Sequence, residues 1–308
     1  MSPRQWSLLV LLSLIWGGSF LFVAIGVKEL PPVTIVLLRV AIGAMILVPM
    51  VILLGHALPN TVKAWRAYAV MAVLNNAVPF TLIVWSQQHI TAGLASVLNA
   101  TAPLWSVLLF HLFAIEAMTL NRVIGILIGV VGVVVLVGPE AIGGNGLVAL
   151  GMFGMLVATL FYGMSGVWAR RFKGTPPIVS AAAQLACATV MLLPAALLIE
   201  QPWTLPMPST AAIVSMIGLG ALSTAFAYVI FFHLMMTAGP SNAMLVTLII
   251  PISAVVLGHL VLGEPIHLRH IAGGVVIGIA LLVIDGRLFA RRGAGDQTTD
   301  GSPRKSPS

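Results

Sequence analysis

A serine set between glycines, in the run Gly163-Met164-Ser165-Gly166, is the feature of this chain most suggestive of covalent chemistry. An intramembrane hydrolase presents its nucleophile in such a small-residue setting, and seven histidines offer candidate bases. A second set is polar without being nucleophilic. Asn75, Asn76, Asn99, Thr224, Tyr228, Asn242 and Thr247, with the aromatic or hydroxyl residues Trp16, Ser19, Trp105 and Tyr162, all lie inside long apolar runs. Amides, hydroxyls and rings at such positions hold a solute or join helices; they do not break bonds. Choosing between the two chemistries requires the elements that carry these residues.

The composition settles the class of element. Hydrophobic residues make up 59% of the 308 and charged residues 7%, with a mean hydropathy of +1.09. No soluble domain of this length keeps so apolar a surface in water. The pattern predicts an all-α polytopic membrane protein with spans near 6–27, 33–54, 66–87, 92–113, 121–138, 147–169, 178–199, 211–233, 241–262 and 269–286. The first run continues past Trp16 and Ser19 without a cleavage signal, so it reads as a retained helix. The tail, 287–308, reads as disordered.

The net charge of +7 follows topology and does not point to nucleic acid. With the N-terminus inside, Arg4, Lys63, Arg66, Arg122, Arg170, Arg171, Lys173, Arg287, Arg291, Arg292, Arg304 and Lys305 make twelve on that side, against Lys28 and Arg269 outside. That bias predicts both termini in the cytoplasm. The single cysteine, Cys187, gives no disulfide or cysteine metal site, and no phosphate-cradling loop is present. Neither a metal nor any other cofactor is expected.

The halves overlay at offsets of 145–148 residues: Trp16-Gly-Gly-Ser-Phe20 on Tyr162-Gly-Met-Ser-Gly166, Pro31 and Pro32 on Pro176 and Pro177, Pro103 on Pro251, and Glu116 on Glu264. Five spans per half is an odd number, so the second half (147–286) enters upside down relative to the first (6–138). An inverted repeat of this kind predicts a secondary transporter with its substrate between the repeats. Ser165 then has Ser19 as its mate, and a nucleophile has no reason to recur there. The intramembrane protease becomes the remote reading and the chain is not expected to be an enzyme. A lipid scramblase or partner-binding protein is the other rival, and it would show a polar groove open to lipid.

The polar stripes recur on spans 1, 3, 4, 6, 8 and 9 and are sparse on 5 and 10. They predict a cavity wall, with helix–helix contact as the alternative. Pro79, Pro103 and Pro251 kink three of these spans. Arg39, the charge well inside a span, is read as structural, with a gate or substrate role as the rival. Glu116 and Glu264 are read as caps of the helices that follow them, or as gates. Small-x-x-x-small patterns on spans 5 and 10 predict close packing, and with it a monomer or a homodimer through those spans.

"LIWGGSF", "LPPVTIVLLR" and "PISAVVLGHLVLGEPIHLRHIAGGVVIGIALLV" resemble the EamA-type drug/metabolite transporters, over nearly all of residues 6–286. Around Glu116 the first repeat lacks the usual Gly-Glu pair. The resemblance implies ten helices, a central cavity and export of small metabolites, often amino acids, across the inner membrane. The texture is most similar to the aromatic and neutral amino-acid exporters. No acidic residue lies in mid-span, so an uncharged cavity and facilitated or weakly proton-coupled efflux are expected. The alternative is a proton-coupled exporter of hydrophobic amines, drugs or nucleosides, with His111 or His259 carrying the proton.

Overall fold

Ser2 opens the first helix by a reciprocal cap: its hydroxyl accepts from the Gln5 N–H while the Gln5 side chain accepts from the Ser2 N–H. Prolines at the first turns of the second and seventh helices, and Thr61, Thr91 and Ser209 as side-chain caps, start others in the same local way. The computed structural model describes residues 1–137, 146–243 and 245–285. The predicted tail (287–308) and the ends of the two repeats at 138 and 286 lie outside them.

The helices are α1 (Pro3–Gly26), α2 (Pro32–Leu53), α3 (Val62–Ser86), α4 (Ala92–Leu112), α5 (Leu120–Val137), α6 (Gly146–Phe172), α7 (Pro177–Glu200), α8 (Thr210–Thr237), α9 (Val246–Leu262) and α10 (Leu268–Asp285). Among the described residues, seven are long and apolar enough to cross a membrane, and three shorter apolar helices complete the set. Outward faces carry apolar side chains such as Leu127, Val131 and Val275, each more than half exposed, as a surface in contact with lipid does.

Packing partners exchange when five is added to each helix number. The pair α1–α9 becomes α6–α4, α3–α6 becomes α8–α1, and α2–α8 becomes α7–α3; α2–α7, α4–α9 and α5–α10 map onto themselves. Two inverted five-helix repeats produce this two-fold pattern. The Trp-Gly-Gly-Ser and Tyr-Gly-Met-Ser motifs explain part of it. A Cβ at Gly17 would stand 3.0 Å from the Ala254 amide nitrogen of α9, and one at Gly163 would stand 3.1 Å from the Trp105 carbonyl carbon of α4. Glycine permits both close approaches. The glycine row of α5 serves α10 in the same chain: a Cβ at Gly125 would meet the Ala280 oxygen at 2.9 Å and one at Gly132 the Ile277 nitrogen at 3.0 Å.

Four helices depart from regularity where the polar residues lie. α3 widens to a π turn over Val73–Ala77 and α8 over Gly218–Phe226, in matching positions of the two repeats. Pro79 accounts for the first, since it removes the N–H that Asn75 would accept. α4 is interrupted between Asn99 and Ala102, and the span expected at 241–262 is split into a turn at Pro240–Ala243 followed by α9. Insertions and breaks of this kind free backbone groups and turn side chains inward.

Candidate functional site

A cavity of about 610 Å³ lies between the repeats, lined from α1–α4 and α6–α9. The π turn of α3 places Asn75 on its wall and that of α8 places Ser223 and Thr224 there. Asn75 ties three helices together. Its amide donates to Gln184 Oε1 of α7 (3.2 Å), and its carbonyl accepts from the Ser165 hydroxyl of α6 (3.1 Å). Ser223 donates to the Ile15 carbonyl of α1 at 2.9 Å. Rings cover much of the remaining wall: Trp16 lies 5.2 Å from Phe231, and Tyr228 stacks on Phe232 at 5.7 Å.

Of the residues singled out from the sequence, Trp16, Ser19, Asn75, Asn99, Tyr162, Thr224, Tyr228 and Thr247 line this cavity. Asn76 is fully buried one position round the helix; neither of its amide atoms completes a hydrogen bond among the described residues, although the Tyr228 phenol is close by. Trp105 packs against Gly163. Asn242 donates to the Ala238 carbonyl at 2.7 Å at the turn before α9. Ser165 is buried behind the wall with its hydroxyl shared between Asn75 and the Tyr162 carbonyl (2.8 Å). Its mate Ser19 bonds the Trp16 carbonyl in the same i−3 manner, at 2.6 Å. No histidine lines the cavity. Gln184, Gln87 and Phe80 also line the wall; Gln184, a lone amide in the apolar run of span 7, was the one with a visible signal.

The wall differs from the expected uncharged one. Arg39 lines it, nine-tenths buried, with its guanidinium 3.7 Å over the Phe80 ring and its Nε donating to the Thr224 hydroxyl at 3.1 Å. The π turn of α8 supplies that hydroxyl, so the side chain points to the cavity and does not snorkel toward a headgroup. Among the described residues no Asp, Glu, Lys or His shares the lining, so Arg39 is the charge they bring to it.

The carboxylates do more than the sequence indicated, and at one end of the bundle. Glu264, after α9, accepts from the Ala92 and Gly93 N–H groups at 2.8 and 3.1 Å, so it caps α4 of the other repeat and not the helix that follows it. Glu200, at the end of α7, accepts from the Val33 N–H (2.9 Å) and from the N–H and hydroxyl of Thr34 (2.7 and 2.8 Å), capping α2. Glu29, after α1, takes the Ser209 N–H (2.6 Å) and hydroxyl (2.5 Å) at the start of α8. These bonds hold the Glu29 carboxyl below its ordinary value. Carboxylates at helix N-termini satisfy orphan N–H groups and favour the dipole. Among the described residues Glu116 makes no such cross-repeat bond; it pairs with Arg122 at the start of α5.

At the other end the cavity reaches Phe172, Thr175 and Pro177, in and beside the α6–α7 connection. That end carries the N-terminus, where the Gln5 amide donates to the Thr237 carbonyl at 2.9 Å. The molecule is therefore clamped at one end and open at the other. Outside this site, Pro251 lines an apolar groove of about 600 Å³ between α4, α9 and α10. Among the described residues no cluster of three His, Cys, Asp or Glu could hold a metal.

The sequence profile of the EamA-like transporter family matches this chain twice, over residues 5–138 and 149–285. Among curated proteins, it is 26% identical over 274 residues to YoaV of Bacillus subtilis (strain 168), described as an uncharacterized transporter, with 87% of this chain and 92% of that protein covered. It is equally 26% identical, over 277 residues, to YedA of Escherichia coli (strain K12), described as an uncharacterized inner membrane transporter, covering 90% of this chain and 89% of that one. A crystal structure 17% identical in sequence superposes with a TM-score of 0.66 over 95% of this chain and 99% of the other, a likeness of fold.

Proposed function

The chain belongs to the EamA-like transporter family, and on that premise we propose that it exports small metabolites across an inner membrane by alternating access, amino acids with apolar or aromatic side chains foremost. The observation that carries this reading is the cavity itself. It is a site of solute size between two inverted repeats, walled by rings and amides, clamped at one end and open at the other. The open end is the cytoplasmic one, on the strength of the basic connections at 63–66 and 170–173. A solute enters there, an apolar side chain stacks on Trp16, Phe231 and Tyr228, and release follows when the three glutamates let go. Among the described residues no carboxylate or histidine lines the cavity to carry a proton with the substrate, which supports facilitated or weakly coupled transport.

Reconstitution in liposomes, with uptake of labelled aromatic and aliphatic amino acids followed with and without a pH gradient, tests this. Saturable uptake without the gradient is expected. Uptake only with the gradient sinks the uncoupled reading, and no uptake of any amino acid removes the substrate class.

Ser165→Ala separates transport from hydrolysis. The variant loses one hydroxyl donor, shared between Asn75 and the Tyr162 carbonyl and worth about 0.5–1.5 kcal/mol. Transport within about tenfold of the parent is expected, because that is the rate change an interaction of this size commands. A nucleophile would leave no activity.

A further inference from the structure

Arg39 ends the motif Leu30-Pro-Pro-Val-Thr-Ile-Val-Leu-Leu-Arg39, and the packing around it leaves its charge unpaired. Taking a guanidinium out of water costs several kcal/mol, and proteins offset this with a carboxylate partner. Here no carboxylate of a described residue pairs with it; the ion pair among those residues is Glu116–Arg122, elsewhere. Of the five N–H donors of a guanidinium, the Nε–H alone has an acceptor among the described residues, the Thr224 hydroxyl. The Phe80 ring supports one face by cation–π contact and fixes its plane. What remains is an oriented fork of donors on the wall of a cavity without a counter-ion.

We infer that Arg39 docks the carboxylate of the transported solute, so that the protein takes organic acids and zwitterions and rejects the corresponding amines. The inference rests on the cavity being the substrate site. A bidentate guanidinium–carboxylate pair in a site of low dielectric supplies the missing counter-charge. A cationic amine of the same shape brings a second positive charge into the same cavity and leaves the fork unpaired. Gln87 and Asn99 also line the cavity; among the described residues both polar atoms of the Gln87 amide and the Asn99 oxygen are buried without a hydrogen-bond partner, which is rare, and a turn of either amide would offer its oxygen to the ammonium group of a zwitterion.

The test uses the full chain in liposomes and a matched series: tryptophan, its amide, tryptamine, and the deaminated acid, indolepropionate. Each is measured as a competitor of labelled tryptophan and directly as a substrate. The expected result is that amide and amine fall at least tenfold below tryptophan, whereas the deaminated acid retains competition. Arg39→Gln should erase the difference between tryptophan and its amide, and Arg39→Lys should restore part of it. Amide or amine handled as well as tryptophan by the parent overturns the inference, and that arm does not depend on any variant folding. Transport of the acids without tryptophan would uphold Arg39 and remove the amino-acid reading. Silence across the whole series would overturn both.

Discussion

Replacing Glu200 and Glu264 together by glutamine is expected to convert a transporter that rests closed at its clamped end into one that rests open there. Each carboxylate accepts two backbone N–H groups at the start of a helix in the opposite repeat, Val33 and Thr34 for Glu200, Ala92 and Gly93 for Glu264. Hydrogen bonds to a charged group contribute about 1.5–3 kcal/mol each on net, and a neutral amide with a single acceptor oxygen forfeits a large part of that. Two clamps together then bias the equilibrium by roughly 3–6 kcal/mol. A shift from 1:99 to 99:1 needs about 5.5 kcal/mol, so the double variant reaches the range where the resting state changes over. Hydrogen exchange reads this directly: the amides of Val33, Thr34, Ala92 and Gly93 should exchange roughly hundreds to tens of thousands of times faster, with those of α5 and α10 unchanged. Equal exchange in parent and variant would mean that the clamps are incidental. Acid should act the same way at the third clamp. The Glu29 pKa lies below its ordinary 4.5, so its contribution is complete above that pH and is lost as pH falls through the lowered value.

These clamps also mark the limit of what the chain discloses when read as a string. The helices were legible because roughly twenty apolar residues must make their own backbone hydrogen bonds in a bilayer. The cavity helices were legible because amides and hydroxyls in such runs cannot face lipid. The choice among neighbouring positions was not, because the π turn over Val73–Ala77 and the break after Asn99 rotate everything beyond them. Adjacent residues on a helix point about 100° apart, so Asn75 reaches the wall and Asn76 goes behind it. On α4, Trp105 packs against Gly163 and not on the wall that Asn99 reaches. Glu264 was visible as a helix-end carboxylate, but its partners lie 172 and 171 positions away, and only the fold brings them within reach. Arg39 shows the same limit. Whether a long cationic side chain snorkels or turns inward depends on Thr224, placed 185 positions later by an irregular turn.

The adjacent glycines of α1 should give opposite results when each is changed to alanine, which tests the packing account at its tightest contact. A Cβ on Gly17 would lie 2.6 Å from the Ser253 Cβ, 3.0 Å from the Ala254 nitrogen and 3.2 Å from the Ile250 oxygen. Two of those atoms are backbone, so no rotamer relieves the overlap and α9 must move away. A Cβ on Gly18 would meet only the Leu257 Cδ1, at 3.8 Å, an ordinary contact. Overpacking of the first kind typically costs about 1–3 kcal/mol, whereas the second substitution exchanges the helix cost of glycine for alanine. The melting temperature of Gly17→Ala in detergent is expected to fall by several degrees, and that of Gly18→Ala to hold or rise slightly. Gly163→Ala should follow Gly17→Ala, because its Cβ would stand 3.0 Å from the Trp105 Cβ and 3.1 Å from the Trp105 carbonyl carbon in the mirrored α6–α4 contact. Equal tolerance of all three would contradict the close helix approach. A loss at Gly17 without one at Gly163 would instead mean that the two repeats divide the work unequally, with α1–α9 as the fixed seam and α6–α4 as the one that yields during transport.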